Sequence, residues 1–383
     1  MIEGLSIPIP QRLLLIRVTV CVSLIISVLL TFNLWGGERI FPYTPAFDIR
    51  YIKAPYDYLF IVFFILFIVG SLFLKKHRLL LFVALLLATA MVIFDMNRLQ
   101  PWFYIYCAFL FVLMFYNGRI DDANKFTSFF IVLQLIFCSI YIFNGISQLN
   151  SAFIETDFHD LISPLQNMMS ERQFLFVKKI GVFTPYALII IGVGLLIRVV
   201  RYLAITFALI FHILLIIFLF PTQVNQNYAM WFCNITFIPL LFLLFSGKTK
   251  QRYYSPTLLF QFPLFYLVII LFWIMPFFNQ KNLWPDNLSS NFKSGNTNSV
   301  DFKFSKNVLD QLPPYVQHFC KPRADSLFLL DYNSWCRNEL NTNCYRENIT
   351  FNNIYYYLQA RSKASVNDLQ MVVKPKHELL FKP

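Results

Sequence analysis

Two short segments place ionisable and amide side chains at the ends of long apolar blocks, where acid–base or binding chemistry is possible. The side chains concerned are Asp95, Asn97, Arg98, Gln100, Asn144 and Gln148. A carboxylate can act as a general base, and amides can orient a ligand through hydrogen bonds. Polar groups at membrane depth usually face the protein interior or a water-filled cavity. We therefore predict that these six side chains line a polar cavity.

Two further polar residues, His212 and Asn234, lie within apolar blocks. His212 is either a proton carrier or, as is more common, a structural histidine with satisfied hydrogen bonds. Asn234 and Asn144 are candidates for hydrogen bonds between helices, which contribute about 0.6 kcal/mol each. Asp95 and Arg98 are three residues apart and could form a simple ion pair. We predict that His212 and Asn234 are buried polar groups, and both the functional and the structural interpretations stay open.

The composition indicates a membrane protein. Hydrophobic residues make up 57% of the 383-residue chain and charged residues 14%, with a mean hydropathy of +0.57. Soluble domains have about a quarter of their residues charged. The net charge of +12 comes from basic residues in short loops and forms no continuous basic face, so we expect no nucleic-acid partner. The Cys and His spacings fit no metal site, and no pattern specifies a cofactor.

The apolar blocks are long enough to cross a bilayer, which takes about 20 residues of helix. The predicted spans are 13–34, 58–74, 79–95, 102–117, 126–146, 183–199, 203–220, 230–246 and 257–275. Backbone groups in lipid must bond internally, so the spans must be helices. The predicted fold is an all-α polytopic membrane bundle of about nine spans over 1–275, followed by a small α+β domain over 276–383.

Lysine and arginine density predicts the orientation. With a cytoplasmic N-terminus, the inner segments hold 11 Lys and Arg in 40 residues and the outer loops 7 in 76. That difference follows the positive-inside rule. Nine spans then place the C-terminal domain outside the cytoplasm, in a multi-pass protein of a bacterial inner membrane. In that domain we predict a strand over 326–330 and a helix over 351–362. An oxidising compartment would allow two of Cys320, Cys336 and Cys344 to pair, and the sequence leaves open whether they do and which two.

Residues 141–153 read Tyr-Ile-Phe-Asn-Gly-Ile-Ser-Gln-Leu-Asn-Ser-Ala-Phe. This segment resembles the aromatic–x–Gly–x–Lys–Lys–Leu–x–x–x–Trp signature of the vitamin K-dependent γ-carboxylase-like membrane proteins, also called the horizontally transferred transmembrane domain (HTTM) family. The run Arg-Leu-Gln-Pro-Trp at 98–102 is similar to a connector in their bacterial relatives. The resemblance covers roughly residues 10–250, and DoxX-like membrane proteins share a similar turn.

The chain departs from the family at the residues that carry the family's chemistry. The two signature lysines, one of which is the base that works with reduced vitamin K, correspond to Ser147 and Gln148 here. The family's connector histidine corresponds to Gln100. Neither serine nor glutamine accepts a proton unaided near neutral pH. The resemblance therefore implies a member of the superfamily that does not carboxylate.

Four functions fit these observations. The first is a non-carboxylating member whose outward-facing polar cavity binds a lipid, a quinone or an extracytoplasmic peptide. The second is a membrane enzyme with altered acid–base chemistry, in which Asp95 or His212 supplies the base. The third is a non-catalytic membrane partner of an extracytoplasmic protein. A transporter is the fourth, but the sequence shows no internal repeat and no paired broken helices.

The orientation can be tested with reporter fusions. A C-terminal alkaline phosphatase fusion should be active, and a green fluorescent protein fusion at the same residue should be dark, because the nine spans export the C-terminus. The opposite pair of results would contradict this topology.

Overall fold

The computed structural model describes residues 7–47, 49, 55–116, 123–220, 227–247, 260, 262–363, 368–374 and 376. Within these residues, eight helices are long and apolar enough to cross a membrane, and a ninth apolar helix is shorter. They are α1 Ile9–Leu30, α2 Tyr56–Phe73, α3 His77–Phe94, the short α4 Pro101–Met114, α5 Ala123–Ser147, α6 Glu171–Leu196, α7 Arg201–Phe218, α8 Tyr228–Phe245 and α9 Pro263–Lys281. The prediction of a mostly helical chain with several helices long and apolar enough to cross a membrane is confirmed.

The nine apolar helices coincide with the nine predicted segments, but their bounds differ. Helix α6 begins at Glu171, twelve residues before the predicted start at 183, and contains a 3₁₀ turn at Gly181–Phe183. Ser170 and Gln173 form a capping box at its N-terminus, which the apolar pattern alone does not indicate. Helix α9 extends to Lys281 through a π turn and a 3₁₀ turn. The predicted start of this span, at 257–259, lies outside the described residues.

Close packing between α5 and α6 depends on two glycines. A Cβ atom added to Gly145 would lie 2.6 Å from the carbonyl oxygen of Pro185, and one added to Gly192 would lie 2.6 Å from Cγ1 of Ile142. Membrane helices use such small residues to bring their backbones together, because lipid gives little hydrophobic force between helices. The glycines therefore fix where the C-terminal half of α5 lies against α6.

The C-terminal domain contains the predicted strand and helix. Its strands are β1 Ser299–Phe304, β2 Cys320–Pro322, β3 Phe328–Leu330 and β4 Leu369–Lys374, and its helices are α10 Lys306–Gln311, α11 Pro314–Gln317, α12 Tyr332–Leu340 and α13 Asn348–Ser362. The sheet is antiparallel in the order β2-β3-β1-β4. Val300, Phe302 and Phe304 alternate inward along β1, as one buried sheet face requires. All three cysteines of this domain are free thiols.

The C-terminal domain packs on one end of the helix bundle. The Glu339 carboxylate accepts hydrogen bonds from the backbone N–H groups of Ile40 and Phe41, and Asn341 donates to the Leu30 carbonyl at 3.2 Å. Phe41 lies edge-on to Trp335, with ring centroids 4.9 Å apart. The domain thus covers the end at which α1 finishes, the same end as the predicted outer loops.

Candidate functional site

The Asp95 carboxylate is fully buried and has several hydrogen-bond donors. Its Oδ2 pairs with Arg39 Nη2 at 2.6 Å, and its Oδ1 accepts from the Thr44 N–H at 3.1 Å and from the Asn97 N–H at 3.2 Å. Arg98 Nε lies 4.0 Å from the same carboxylate. This arrangement favours the structural interpretation of Asp95, because a carboxylate occupied by these donors is poorly placed to accept a proton from a ligand.

Arg98 joins the ends of helical segments. Its guanidinium donates to the carbonyl oxygens of Leu34 at 3.2 Å, Trp35 at 2.6 Å and Met91 at 3.1 Å. The last carbonyls of a helix have no partner within the helix, and a cation is favourable there. The Arg98 donors are therefore used by the ends of α3 and of the short helix Phe32–Trp35.

Asn97 and Gln100 attach the C-terminal domain to this connector. The Tyr345 N–H donates to Asn97 Oδ1 at 3.1 Å. Gln100 Nε2 donates to the Asn343 carbonyl at 2.8 Å, and Thr342 Oγ1 donates to Gln100 Oε1 at 2.9 Å. Both amides therefore bond to the loop between α12 and α13.

A first cavity, of about 80 Å³, lies between α5, α7 and α8 and reaches the C-terminal domain. This is space for several water molecules or for part of a larger ligand. Its polar lining includes Asn144, Gln148, His212 and Asn234. Its apolar lining includes Ile140, Leu188, Phe211, Leu215 and Phe237.

His212 is held in one tautomer by its neighbours. Asn234 Nδ2 donates to the Met230 carbonyl at 2.9 Å, so Asn234 Oδ1 faces the imidazole and accepts from His212 Nδ1–H at 2.9 Å. In the neutral ring Nε2 then carries a lone pair and accepts from the Tyr141 hydroxyl at 2.6 Å. The three side chains form a relay, with Tyr141 at the end away from Asn234.

Gln148 links the first cavity to the C-terminal domain. Its Nε2 donates to Asn144 Oδ1 at 3.4 Å and to the Lys293 carbonyl at 3.2 Å, while Asn150 Nδ2 donates to the Ser294 carbonyl at 2.7 Å. Gln148 Oε1 is buried and has no hydrogen-bond partner among the described residues. A buried acceptor without a partner is unusual and indicates a place for a donor from water or a ligand.

A second cavity, of about 50 Å³, lies beneath the C-terminal domain, and most of the residues that line it are polar. Gln100 and Arg346 belong to its lining. The two cavities are adjacent, because both are lined by Asp157, Met230, Phe292 and Lys293. Burial lowers the pKa of the Lys293 ammonium, and the charge of Asp157 opposes this shift.

The structure separates the predicted site residues into two groups. Asn144, Gln148, His212 and Asn234 line the first cavity and Gln100 lines the second, whereas Asp95, Asn97 and Arg98 are not among the lining residues of either. Sequence reasoning missed Tyr141, Asp157, Lys293 and Arg346. Tyr141 precedes Asn144 by three positions and Gln148 by seven, a spacing that places all three on one helix face. The other three follow no such period, since Asp157 lies in the short π-helical segment Ile154–Phe158 and Lys293 and Arg346 lie in the C-terminal domain.

Comparison of the chain with known protein families, with characterised proteins and with solved structures finds no match. The interpretation of the site therefore rests on its own geometry.

We expect Asp95→Ala to destabilise the fold. The substitution leaves Arg39 and Arg98 buried without their carboxylate, and breaking a buried pair in this way costs about 3–5 kcal/mol. Thermal unfolding of the purified protein in mild detergent measures the effect. Glu155→Ala is the control, because its ion pair with Lys178 is at the surface, with the Glu155 side chain 69% exposed, and such pairs contribute under about 1 kcal/mol. Equal midpoints for the two variants would contradict the structural role of Asp95.

Proposed function

We propose that the chain is an integral inner-membrane protein that binds an amphipathic molecule, a lipid or a quinone, in the first cavity. We also propose that it belongs to the γ-carboxylase-like superfamily without carboxylating. Its site residues are then Asn144, Gln148, His212 and Asn234, and Asp95, Asn97 and Arg98 support the site by holding the outer helix ends.

One observation carries the proposal: the first cavity has a mostly apolar lining with a few oriented polar groups, as ligand sites usually do. Leu188, Phe211 and other side chains of the spans supply the apolar lining. His212 and Asn234 are polar groups within the bundle, whereas Gln148 and Lys293 lie at the contact with the C-terminal domain. This lining suits an amphipathic molecule whose hydrocarbon part lies in the bundle and whose polar head lies beside Gln148 and Lys293.

The contacts of the short helix α4 support a bundle of nine crossings. Gln100, before α4, bonds to the C-terminal domain, whereas the carbonyls of Phe115 and Tyr116, after α4, accept from Arg78 at 2.9 Å and His77 at 3.0 Å. Helix α4 therefore runs between the two ends of the bundle although its 14 residues span only about 21 Å. Nine crossings with a cytoplasmic N-terminus place the C-terminal domain and the cavity on the extracytoplasmic side.

Filling the cavity tests the proposal. Leu215→Trp adds bulk to the cavity lining, so we expect the purified variant to retain about tenfold less of the lipid or quinone that copurifies with the wild type. Mass spectrometry of ligand released from protein in mild detergent gives the amounts. Leu214→Trp is the matched control, since Leu214 is on the same helix and is 43% exposed. Equal retention in both variants, or no specific ligand on the wild type, would contradict the proposal.

A second candidate function is an enzyme with altered acid–base chemistry, and the relay favours it. A nucleophile or acid hydrogen-bonded to a base that a third group orients is a recurring catalytic arrangement. Tyr141 would meet the ligand, His212 would accept the proton and Asn234 would hold the ring. Tyr141→Phe keeps the shape of the side chain but removes the proton. If the protein is an enzyme, this variant should retain a ligand of different mass from that on the wild type. An unchanged ligand mass would favour binding alone.

A further inference from the structure

The second cavity contains cationic groups with unused hydrogen-bond donors. Arg346 donates through Nη1 to Thr297 Oγ1 at 2.6 Å, but its Nε is buried and has no hydrogen-bond partner among the described residues. The Lys293 side chain lines both cavities and makes no hydrogen bond within the described part of the chain. A buried donor is nearly always paired, so Arg346 Nε indicates a place for an acceptor from a ligand, and the half-buried Lys293 ammonium adds a second cation to the same lining.

The nearby carboxylates already have partners in the protein. Asp157 Oδ2 accepts from the Gly295 N–H at 2.5 Å. Asp286 Oδ1 accepts from Lys376 Nζ at 2.6 Å and from Asn279 Nδ2 at 2.8 Å. The Asp286 charge is thus compensated by Lys376. An anion entering the cavity would meet the Lys293 and Arg346 cations together with the Asp157 carboxylate, which leaves one net positive charge among the three. A charge-assisted bond is about twice as strong as a neutral one.

Unused acceptors lie in the same region. Asp286 Oδ2, Asn291 Oδ1 and Gln148 Oε1 are buried without partners among the described residues. A phosphodiester has no donors of its own for them at neutral pH, whereas a polyol esterified to that phosphate brings hydroxyl donors. Donors and acceptors left free in the two cavities therefore match a head group that has both kinds of atom.

We propose that the second cavity binds the phosphate of a lipid whose head group is a hydroxylated phosphate ester, as in a glycerophosphate or a phosphosugar. Lys293 and Arg346 contact the phosphate, the orphan acceptors receive the hydroxyls, and the hydrocarbon tail leaves through the first cavity. This inference rests on the proposed function, since it names the class of the amphipathic ligand. The shared residues Phe292 and Met230 lie where head group and tail join.

Native mass spectrometry of the full chain tests the head group. Wild-type protein in mild detergent is titrated with phosphatidylglycerol, with phosphatidylcholine of the same acyl chains, and with glycerol 3-phosphate. We expect phosphatidylglycerol to be retained about tenfold more than phosphatidylcholine, which lacks hydroxyl donors and carries a compensating cation. Loss of one charge-assisted bond, in Arg346→Gln or Lys293→Gln, should reduce phosphatidylglycerol retention about tenfold.

The control is Lys321→Gln, which removes a cation of the same domain whose side chain is 73% exposed. It should leave retention unchanged. Thermal unfolding of each variant shows whether it is folded, and Arg346→Lys, which keeps the charge but loses Nε, gives a second reading at that position. Intermediate retention by Arg346→Lys supports a direct contact with the phosphate.

The outcomes separate this inference from the proposed function. Equal retention of the two phospholipids, with no effect of Arg346→Gln or Lys293→Gln, overturns the head-group assignment but leaves an amphipathic ligand in the first cavity. Retention of a quinone and of neither phospholipid likewise overturns the head-group assignment and leaves an amphipathic ligand in the first cavity. Binding of glycerol 3-phosphate without either lipid supports the phosphate chemistry and assigns it to a soluble ester, which contradicts the lipid. Binding of no probe and no copurified ligand overturns both proposals.

Discussion

The end of the bundle beneath the C-terminal domain depends on backbone carbonyl groups that are buried away from water. Several helices finish beneath a folded domain, so the terminal carbonyls that would be hydrated at an open surface are buried. The Arg98 guanidinium satisfies three of them, those of Leu34, Trp35 and Met91. A buried cation needs a partner, and the Asp95 carboxylate lies 4.0 Å away, shared with Arg39. This arrangement holds the backbone at Leu34, Trp35 and Thr44 against the connector at 95–98.

The C-terminal domain uses the same connector for its own attachment. Asn97, held by Asp95 through its N–H and its side-chain amide, presents Oδ1 to the Tyr345 N–H. Gln100 bonds through both its Nε2 and its Oε1 to the loop that contains Thr342 and Asn343. Polar groups in this connector therefore serve the junction between bundle and domain. The cavities lie beside that junction, so their shape depends on a buried charge cluster that does not line them.

The sequence predicts the helices well because length and apolarity are local properties. Nine segments, the strand over 326–330 and the helix over 351–362 could each be found within a single window. It also identifies Asn144, Gln148, His212 and Asn234 as polar groups in apolar surroundings, where each must have a partner. The identity of that partner is not a local property of the sequence. Lys293 reaches the first cavity from a domain about 145 positions beyond Gln148, and no spacing rule connects two such residues.

Asp95 is separated from the cavities for the same reason, because its partner is distant in sequence. From sequence, Asp95 and Gln100 are five positions apart at one helix end, and both are candidates for a ligand site. Arg39 decides between them, because it comes from a distant loop and occupies Asp95 Oδ2. A carboxylate with a buried arginine partner stabilises the fold, whereas Gln100, five positions further along the chain, reaches the second cavity. Long-range pairing thus assigns different roles to neighbours in sequence.

In the resemblance to the γ-carboxylase-like family, Ser147 and Gln148 stand at the two signature lysine positions, but Lys293 brings a lysine to the first cavity from elsewhere in the chain. Gln148 replaces an ammonium in the resemblance to the γ-carboxylase-like family, yet its amide bonds to the backbone of a residue that brings an ammonium to the same cavity. Burial lowers the pKa of that ammonium, which makes the neutral amine, a base, easier to form. A bound phosphate has the opposite effect, because a nearby anion stabilises the charged form. Lys293 therefore cannot hold a phosphate and act as a free base at the same time. Arg346 lines the second cavity and not the first, and its unused Nε donor favours the phosphate-bound form, in which proton transfer would fall to Tyr141 and His212.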